Sequence, residues 1–534
     1  MAHTPLFRSF IRILRKAQYE NLKANGTVLP QSIPSSRKSG SWTRRQLIKS
    51  AALAGGSALV TGLSPRLQQA WSKASPRIAI IGAGIAGLNA AYQLKKAGLI
   101  ATLYEARNRT GGRILSRVLE NGLVIDLGGS FINTDHEDML SLAKEFNLPL
   151  FNRVENAEKF SFPETGYYFN GKVRPEAEVA QKLRPLAQQI ADDVALLDEN
   201  FDEAAPLFDS ISISDYLNTH ANKIPDPFIR ELIENIARTE FGVQPEQCSA
   251  ILLLFSLPTV NGNEVEVLGA SDEVFVVQGG SGRIVRSLAQ ALPGQTKLGK
   301  RLTGVQPRGS GYRLQFADNS VVDADYAIIT IPFKVLRTVD IQVNLPATLR
   351  QFINEGDLGA NEKIIAGFNQ KVWRRNTGFV IDAWTDLGFS AAWDETQRQT
   401  NRTDGALTFF FGGSEVKAIQ SGSANTQGKR VVNQFETFVP GAKAASNNRF
   451  FRTAWTTDPF TRGGYNNFKP GQYLKFIDFL YVESDNPEER QDVYVDHLVF
   501  AGEHLSDEFN GYMNGGAQTG RLAAEVVLQI IQGN

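Results

Sequence analysis

The sequence predicts an α/β fold class: a Rossmann-like, parallel-sheet nucleotide-binding domain built from discontinuous stretches, interleaved with an α+β domain. Three observations predict it. A continuous apolar run, "RIAIIGAG" from Arg77, enters a glycine-rich turn and then a helical pattern, as a strand buried on both faces and its crossover would. Strand–turn–helix text returns at "VVQGGSGRIVRSLAQAL" and again in the tail, "HLVFAGEHLSDEFNGYMNGGAQTGRLAAEVVLQII". Between these lie a largely helical stretch, residues 175–270, and a mixed stretch, residues 361–455. The 534 residues exceed the roughly 250–300 over which a single core grows. The expected division is residues 75–150, 270–332 and 456–534 for the nucleotide domain and 151–269 and 333–455 for the substrate domain, after an N-terminal extension, 1–74.

The elements follow in order. Up to Lys49 the chain is basic, with Glu20 its only acid. "SWTRRQLIKS" and the apolar "AALAGGSALVTGL" come next; that run is too short for the roughly 20 residues of a membrane span. A basic stretch, a short apolar stretch and a small-residue end read as an export signal, and Arg44-Arg45 resembles the twin-arginine type. Cleavage near Ala74, handling by twin-arginine export machinery, and a periplasmic or other extracytoplasmic location (thylakoid lumen in a photosynthetic cell) are the expectation. Residues 85–97 carry Ile85, Leu88 and Tyr92 at helical spacing, "ATLYEAR" is the next strand, "LVIDLGGSFI" a third, and 136–146 a helix. "TKLGKRLTGVQPRGSGYRLQFADNSVVDADYAIITIP" reads as short alternating strands. Leu522, Val526 and Ile530 give the closing helix a buried stripe.

Composition excludes several classes. Lys+Arg and Asp+Glu are both 56, so no net field draws nucleic acid or an anionic membrane. One cysteine, Cys248, and five histidines exclude a disulfide framework and a cysteine-rich metal centre. No metal is expected, and monomer and homodimer both stay open.

"GAGIAG" is Gly82, Ala83, Gly84, Ile85, Ala86 and Gly87. Gly82 serves the tight turn, Gly84 lets the backbone approach a pyrophosphate on the helix N-terminus, and Gly87 lets helix and strand pack closely. Glu105 follows about 20 residues on, where a carboxylate takes ribose hydroxyls. The pattern predicts an adenine dinucleotide site.

After Glu105 the chain reads "ARNRTGGRI", and here it resembles the flavin-containing amine oxidase family. The resemblance implies FAD held by Ala106, Arg107, Gly111, Gly112 and Arg113, with Glu503 of "AGEHLS" on the ribityl chain beside Gly502. It places Met513, of "GYMNGGAQTG", at the flavin edge, Gly129-Ser130 in the third strand's motif, and Val305 of "KRLTGVQ" with its backbone on adenine. It implies that Lys363, in "LGANEKIIAGF", reaches flavin N5 through water and assists reoxidation by O2, though a quinone-type acceptor stays open. Tyr465 and Tyr512 match two aromatic walls in front of the flavin. Gly464 stands where animal monoamine oxidases carry a flavin-bonded cysteine, so FAD is expected to be non-covalent. The pair Gly463-Gly464 is expected where backbone runs against the isoalloxazine ring.

The implied chemistry is hydride transfer from the amine-bearing carbon to flavin N5. The imine product then hydrolyses to an aldehyde or keto acid plus ammonia. Amine oxidation is the leading reading. An L-amino acid oxidase, dehydrogenase or tryptophan 2-monooxygenase is the alternative, disfavoured because "GGSFINTDHEDM" lacks the arginine those relatives place there. Arg452 or Arg462 approaching from another side would restore it, while Asp135 and His136 suit a substrate with a second amine. A carotenoid desaturase-like enzyme and a non-catalytic FAD-binding protein are further readings; Lys363 and the tyrosine pair argue against both.

Overall fold

The structure is a computed structural model, and it describes residues 75–255, 258–261, 264–267, 271–484 and 486–533. Arg44-Arg45 and the cleavage site near Ala74 lie outside the described residues.

A six-stranded sheet runs in the order Thr296–Lys297, Ala101–Tyr104, Ile78–Ile81, Tyr326–Ile329, Leu498–Phe500, Tyr494–Val495. All neighbours are parallel except the last pair. The four residues Ile78–Ile81 are all buried, as a strand covered on both faces requires. Their neighbours Ala101–Tyr104 and Tyr326–Ile329 lie on opposite sides, so the strand order reverses at Ile78–Ile81. Open α/β sheets bind ligands at the carboxyl end of such a reversal.

Two helices start near that end and pack against a face of the sheet. Ile85–Lys96 leaves the first strand directly, and the chain ends in the helix Met513–Gln532. Small residues let them touch: a Cβ on Gly520 would lie 2.2 Å from the Ala86 carbonyl oxygen, and Asn89 Nδ2 donates to the Ala517 carbonyl at 2.7 Å. Leu522 and Val526 are buried as the stripe predicts.

A seven-stranded sheet forms the other large layer, in the order Ser446–Arg452, Asn361–Phe368, Gly405–Gly412, Ala391–Asp394, Asp382–Thr385, Thr165–Phe169, Lys172–Val173. Its central strands Asn361–Phe368 and Gly405–Gly412 are buried along their whole length. Helices Glu176–Glu199, Phe201–Asp209, Ile213–Thr219, Pro227–Glu240 and Ala250–Phe255 fill the expected helical stretch.

Three expectations differ. "LVIDLGGSFI" is not one strand: Val124–Asp126 pairs with Ser116–Val118, Phe131–Ile132 pairs with Phe275–Val277, and residues 127–130 turn between them. The apolar run looked like a buried strand, but its glycines break the ladder. The helical stretch ends at Phe255; Pro258–Asn261 and Glu264–Val267 form a hairpin. The mixed stretch also contains a 12-residue helix, Ala424–Phe435, capped by the Ser423 side chain accepting from the Thr426 N–H.

Candidate functional site

Gly82 leaves the first strand at φ 106°, a conformation that favours glycine, and Gly84 is the N-cap of Ile85–Lys96. No side chain caps that helix, so its first N–H groups stay open to the cleft. Gly87 does not line the cleft; a Cβ there would lie 2.1 Å from the Gly82 carbonyl oxygen, so its role is close packing. Glu105, at the end of the next strand, is 4% exposed and folds back onto the turn. Its Oε2 accepts from the Ala83 N–H at 2.9 Å and its Oε1 from the Arg107 N–H at 2.8 Å. Arg107 in turn donates to Asp458 Oδ1 at 2.6 Å and covers the Phe460 ring.

From this turn a cleft of about 1350 Å³, part of it open to solvent, runs along the sheet's carboxyl end. Gly111, Gly112, Arg113, Gly129 and Ser130 line it together with Gly464, Gly502, Glu503 and Met513, and Gly129 packs against the Met513 side chain. Arg113 ties distant segments together at the cleft: its Nη1 donates to the Gly464 carbonyl at 2.5 Å and to Glu503 Oε1 at 2.7 Å. Burial is the largest influence on the Glu503 carboxyl and pushes it up; Arg113 and His504 together outweigh it and leave the carboxyl below its usual range. Glu503 Oε2 is buried without a protein partner. The helix Met513–Gln532 begins at the cleft, with Tyr512 as N-cap and no side-chain cap. Two helix N-termini therefore face one cleft, each with uncapped donors and a positive dipole end.

The far end is aromatic. Phe131, Trp393, Phe410, Trp455, Tyr465 and Tyr512 line it, with Lys363 and Asn361. Lys363 lies in the strand Asn361–Phe368, opposite Phe410 across the ladder. Its Nζ donates to the Asp126 carbonyl at 3.1 Å, the Gly128 carbonyl at 2.7 Å and Ser130 Oγ at 3.2 Å, and stands 5.2 Å from the Trp393 ring centre. All three ammonium donors thus have protein acceptors. A water reached by Lys363 would have to share one of them. Burial pushes the Lys363 ammonium down; Glu395 and Asp126 beside it act upward. Tyr465 donates its hydroxyl to the Thr239 carbonyl, at the end of the helix Pro227–Glu240. Tyr512 packs edge-on against His136, centroids 4.7 Å apart.

Several expected residues sit elsewhere. Val305 is fully buried in the strand Leu302–Arg308, its carbonyl accepting from the Gln342 N–H at 2.9 Å, and it lines neither cavity. A register shift between Leu302 and Gly304 sets Leu302 opposite Phe316 and Val305 opposite Leu314, so both residues share one strand face. Leu302, Arg301 and Ala106 line a second cavity, which shares Gly82, Glu105, Arg107 and Ile331 with the cleft. Ala106 therefore belongs to that cavity.

Neither Asp135 nor His136 lines the cleft; His136 is buried behind Tyr512. Arg452 donates to the Ile419 carbonyl and Arg462 is exposed, and neither lines the cleft. The glycine pair also has another cause than a flat ring. A Cβ on Gly463 would lie 2.4 Å from Leu358 Cβ, and one on Gly464 2.9 Å from Asn361 Oδ1. Packing against the neighbouring strands excludes side chains there, although Gly464 does line the cleft. Asn361, Phe131, Trp393, Phe410 and Trp455 were not foreseen. Asn361 could have been, since it lies two residues before Lys363 and so on the same strand face. The others depend on pairings between distant segments.

The residues fit a flavin dinucleotide. Two uncapped helix N-termini suit its pyrophosphate and its electron-rich ring edge, Glu105 suits ribose hydroxyls, and the orphaned Glu503 Oε2 suits a polyol chain.

Comparisons with known proteins agree with this geometry. The chain is 23% identical over 470 residues to the flavin-containing amine oxidase B of Canis lupus familiaris, covering 84% of this chain and 86% of that protein. It is 23% identical over 498 residues to an L-amino acid dehydrogenase of Synechocystis sp., covering 88% and 98%. Among solved structures, putrescine oxidase bound to putrescine matches with a TM-score of 0.68 at 21% identity, covering 85% of this chain and 99% of that one. Cyclohexylamine oxidase from Brevibacterium oxydans matches at 0.69 and 21%, covering 86% and 100%. The family model described as flavin containing amine oxidoreductase matches residues 85–528, most of the chain, and the protein belongs to that family.

Proposed function

We propose that this FAD-dependent amine oxidoreductase acts on a primary amine that carries no carboxylate, and passes its electrons to O2. One observation carries the substrate reading: every cation lining the cleft is already engaged. Arg107 is held by Asp458, Arg113 by Glu503 and Gly464, and Lys363 by three oxygen atoms. No arginine is left to clamp a carboxylate at the aromatic end.

Bound in the cleft, FAD supplies the two-electron acceptor: the amine-bearing carbon gives up a hydride, and the imine is hydrolysed to a carbonyl compound plus ammonia. The chain's residues prepare the amine. A free alkyl amine has a pKa near 10, like lysine, and only its neutral form can release the hydride. The aromatic walls and the Lys363 ammonium nearby both favour the neutral form. The Tyr465 hydroxyl, held by the Thr239 carbonyl, fixes its ring; burial pushes that hydroxyl well up, so it stays neutral.

We assign the stretches 75–150, 270–332 and 456–534, around the six-stranded sheet, to FAD, and 151–269 and 333–455 to the substrate. With Gly464 in place of a cysteine, FAD is held non-covalently. Arg44-Arg45 and the apolar run behind it support export by twin-arginine machinery to an extracytoplasmic compartment.

The test is anaerobic bleaching of the flavin by a panel of monoamines, diamines and L-amino acids. Bleaching by monoamines is expected. Bleaching by L-amino acids alone would replace this reading with the second one, which the Synechocystis relative favours. No bleaching by any of them would overturn both.

A further inference from the structure

Glu395, just after the strand Ala391–Asp394, is 4% exposed and does not line the cleft. It nonetheless holds two of the groups that hold Lys363. Its Oε1 accepts from the Asp126 N–H at 2.6 Å, while the Asp126 carbonyl accepts from Lys363 Nζ at 3.1 Å. Its Oε2 accepts from Trp393 Nε1 at 3.1 Å, while the Trp393 ring faces Lys363 Nζ at 5.2 Å. Thr408 Oγ1 adds a third donor to Oε2 at 2.7 Å.

Every side-chain contact of this carboxylate is a donor, so only an acceptor at both ends satisfies it. An amide cannot: whichever end its NH2 takes, it meets the Asp126 N–H or the Trp393 and Thr408 donors. The surrounding charges are Asp126, Arg398 and Glu273. Arg398 pairs with Asp126 at 2.9 Å and stands 3.9 Å from Glu395. Asp126 is thus paired with Arg398, and Glu395 is the carboxylate that orients the ammonium's partners; together with Asp126 and Glu273 it also offsets the ammonium's charge.

We propose that Glu395 is a positioning residue for the oxygen half-reaction, acting through Asp126 and Trp393 to hold the Lys363 ammonium at the cleft. The inference rests on the O2 role given to Lys363 above. In that step O2 takes two electrons and two protons from the reduced cofactor and leaves as H2O2. A fixed cation stabilises the negative charge that O2 acquires on the way.

The test uses the FAD-loaded chain, reduced by light without any amine, so the outcome does not depend on the substrate reading. Reoxidation by O2 and the flavin midpoint potential are measured for the wild type, Glu395→Gln, Lys363→Met and the double variant. Removing one preorganised donor costs on the order of 10²-fold, and loosening its support less, so Glu395→Gln is expected to reoxidise roughly tenfold slower. Its potential should fall toward that of Lys363→Met, because the reduced, more negative flavin loses the same cation. The double variant should be no slower than Lys363→Met, since Glu395 acts through the lysine.

A Glu395→Gln protein with unchanged rate and potential would overturn the inference. So would single effects that multiply in the double variant, or a Lys363→Met protein that matches the wild type. If Glu395→Gln fails to load FAD, Trp393→Phe decides, because it leaves an aromatic, though smaller, ring near Lys363 and removes the N–H to Glu395. Slower reoxidation with a lower potential supports the inference, and wild-type values for both overturn it.

Discussion

Glu105, Lys363 and His504 show how single groups are set by what surrounds them. Glu105 bonds two N–H groups of the nucleotide turn and still has lone pairs for a ribose. Glu105→Ala should lose FAD on dialysis, with a clearly lower flavin-to-protein absorbance ratio; an unchanged ratio would count against the ribose role. Lys363→Met should leave anaerobic reduction nearly intact while slowing reoxidation on the order of 10²-fold, read by stopped-flow flavin absorbance. His504 is 2% exposed, and neither ring nitrogen has a protein partner. Burial pushes its pKa down to about 4. The sign follows from linkage: the unfolded chain takes up this proton near 6.5, the folded state only near 4, so acidification across that window favours unfolding. At 1.36 kcal/mol per pKa unit the penalty approaches ~3 kcal/mol. His504→Leu should therefore lose less stability than the wild type between pH 6.5 and 4, measured by denaturant titration at each pH.

At the scale of elements, the site depends on how closely two helices approach. Ile85–Lys96 and Met513–Gln532 aim their N-termini at one cleft because glycines at the crossing remove the side chains between them. A Cβ on Gly520 would stand 2.2 Å from the Ala86 carbonyl oxygen, and one on Gly516 2.7 Å from Ile85 Cγ2. Gly520→Val should cost at least the 1–3 kcal/mol, roughly, of an overpacked core and should release FAD. The measurements are the melting temperature and the flavin retained through gel filtration; a fully loaded variant of unchanged melting temperature would contradict the crossing argument. The wall opposite follows a different logic. Lys363 and Phe410 face one another across antiparallel strands, and Trp393 joins them from the next strand.

Across the whole molecule, the cofactor cleft is closed by segments far apart in the chain. Residues 453–465 contribute Trp455, Thr461, Gly464 and Tyr465 to its lining and are fastened by Trp455 Nε1 to the Leu127 carbonyl, by Asp458 to Arg107 and by the Gly464 carbonyl to Arg113. FAD bound in the cleft should stabilise the fold by mass action, about 2.7 kcal/mol at a hundred times its Kd. Since Gly464 offers no thiol, acid precipitation should release the flavin into the supernatant; flavin remaining on the pellet would show a covalent link.

The sequence by itself determined the nucleotide turn, Glu105, the Gly-Gly-Arg loop, Lys363 and the two tyrosines. The nucleotide turn and Glu105 are legible because their requirements are local: a positive φ at Gly82, an uncapped helix start, a carboxylate at a fixed spacing; the Gly-Gly-Arg loop, Lys363 and the two tyrosines are legible only through the resemblance to the family. Only the tertiary structure decided what surrounds them. The bulge that brings Leu302 and Val305 onto one strand face depends on register, and of the two only Leu302 lines the second cavity. Trp393 and Phe410 reach the cleft through pairings between strands distant in sequence. The three oxygen atoms that occupy Lys363 lie more than 200 positions away. The glycine pair before Tyr465 shows both halves of the division. Its presence was visible in the text, but its cause was not, because Leu358 and Asn361 fill the space a side chain would need. Local rules say which conformation a residue can adopt; the neighbours that make it necessary come from the packed fold.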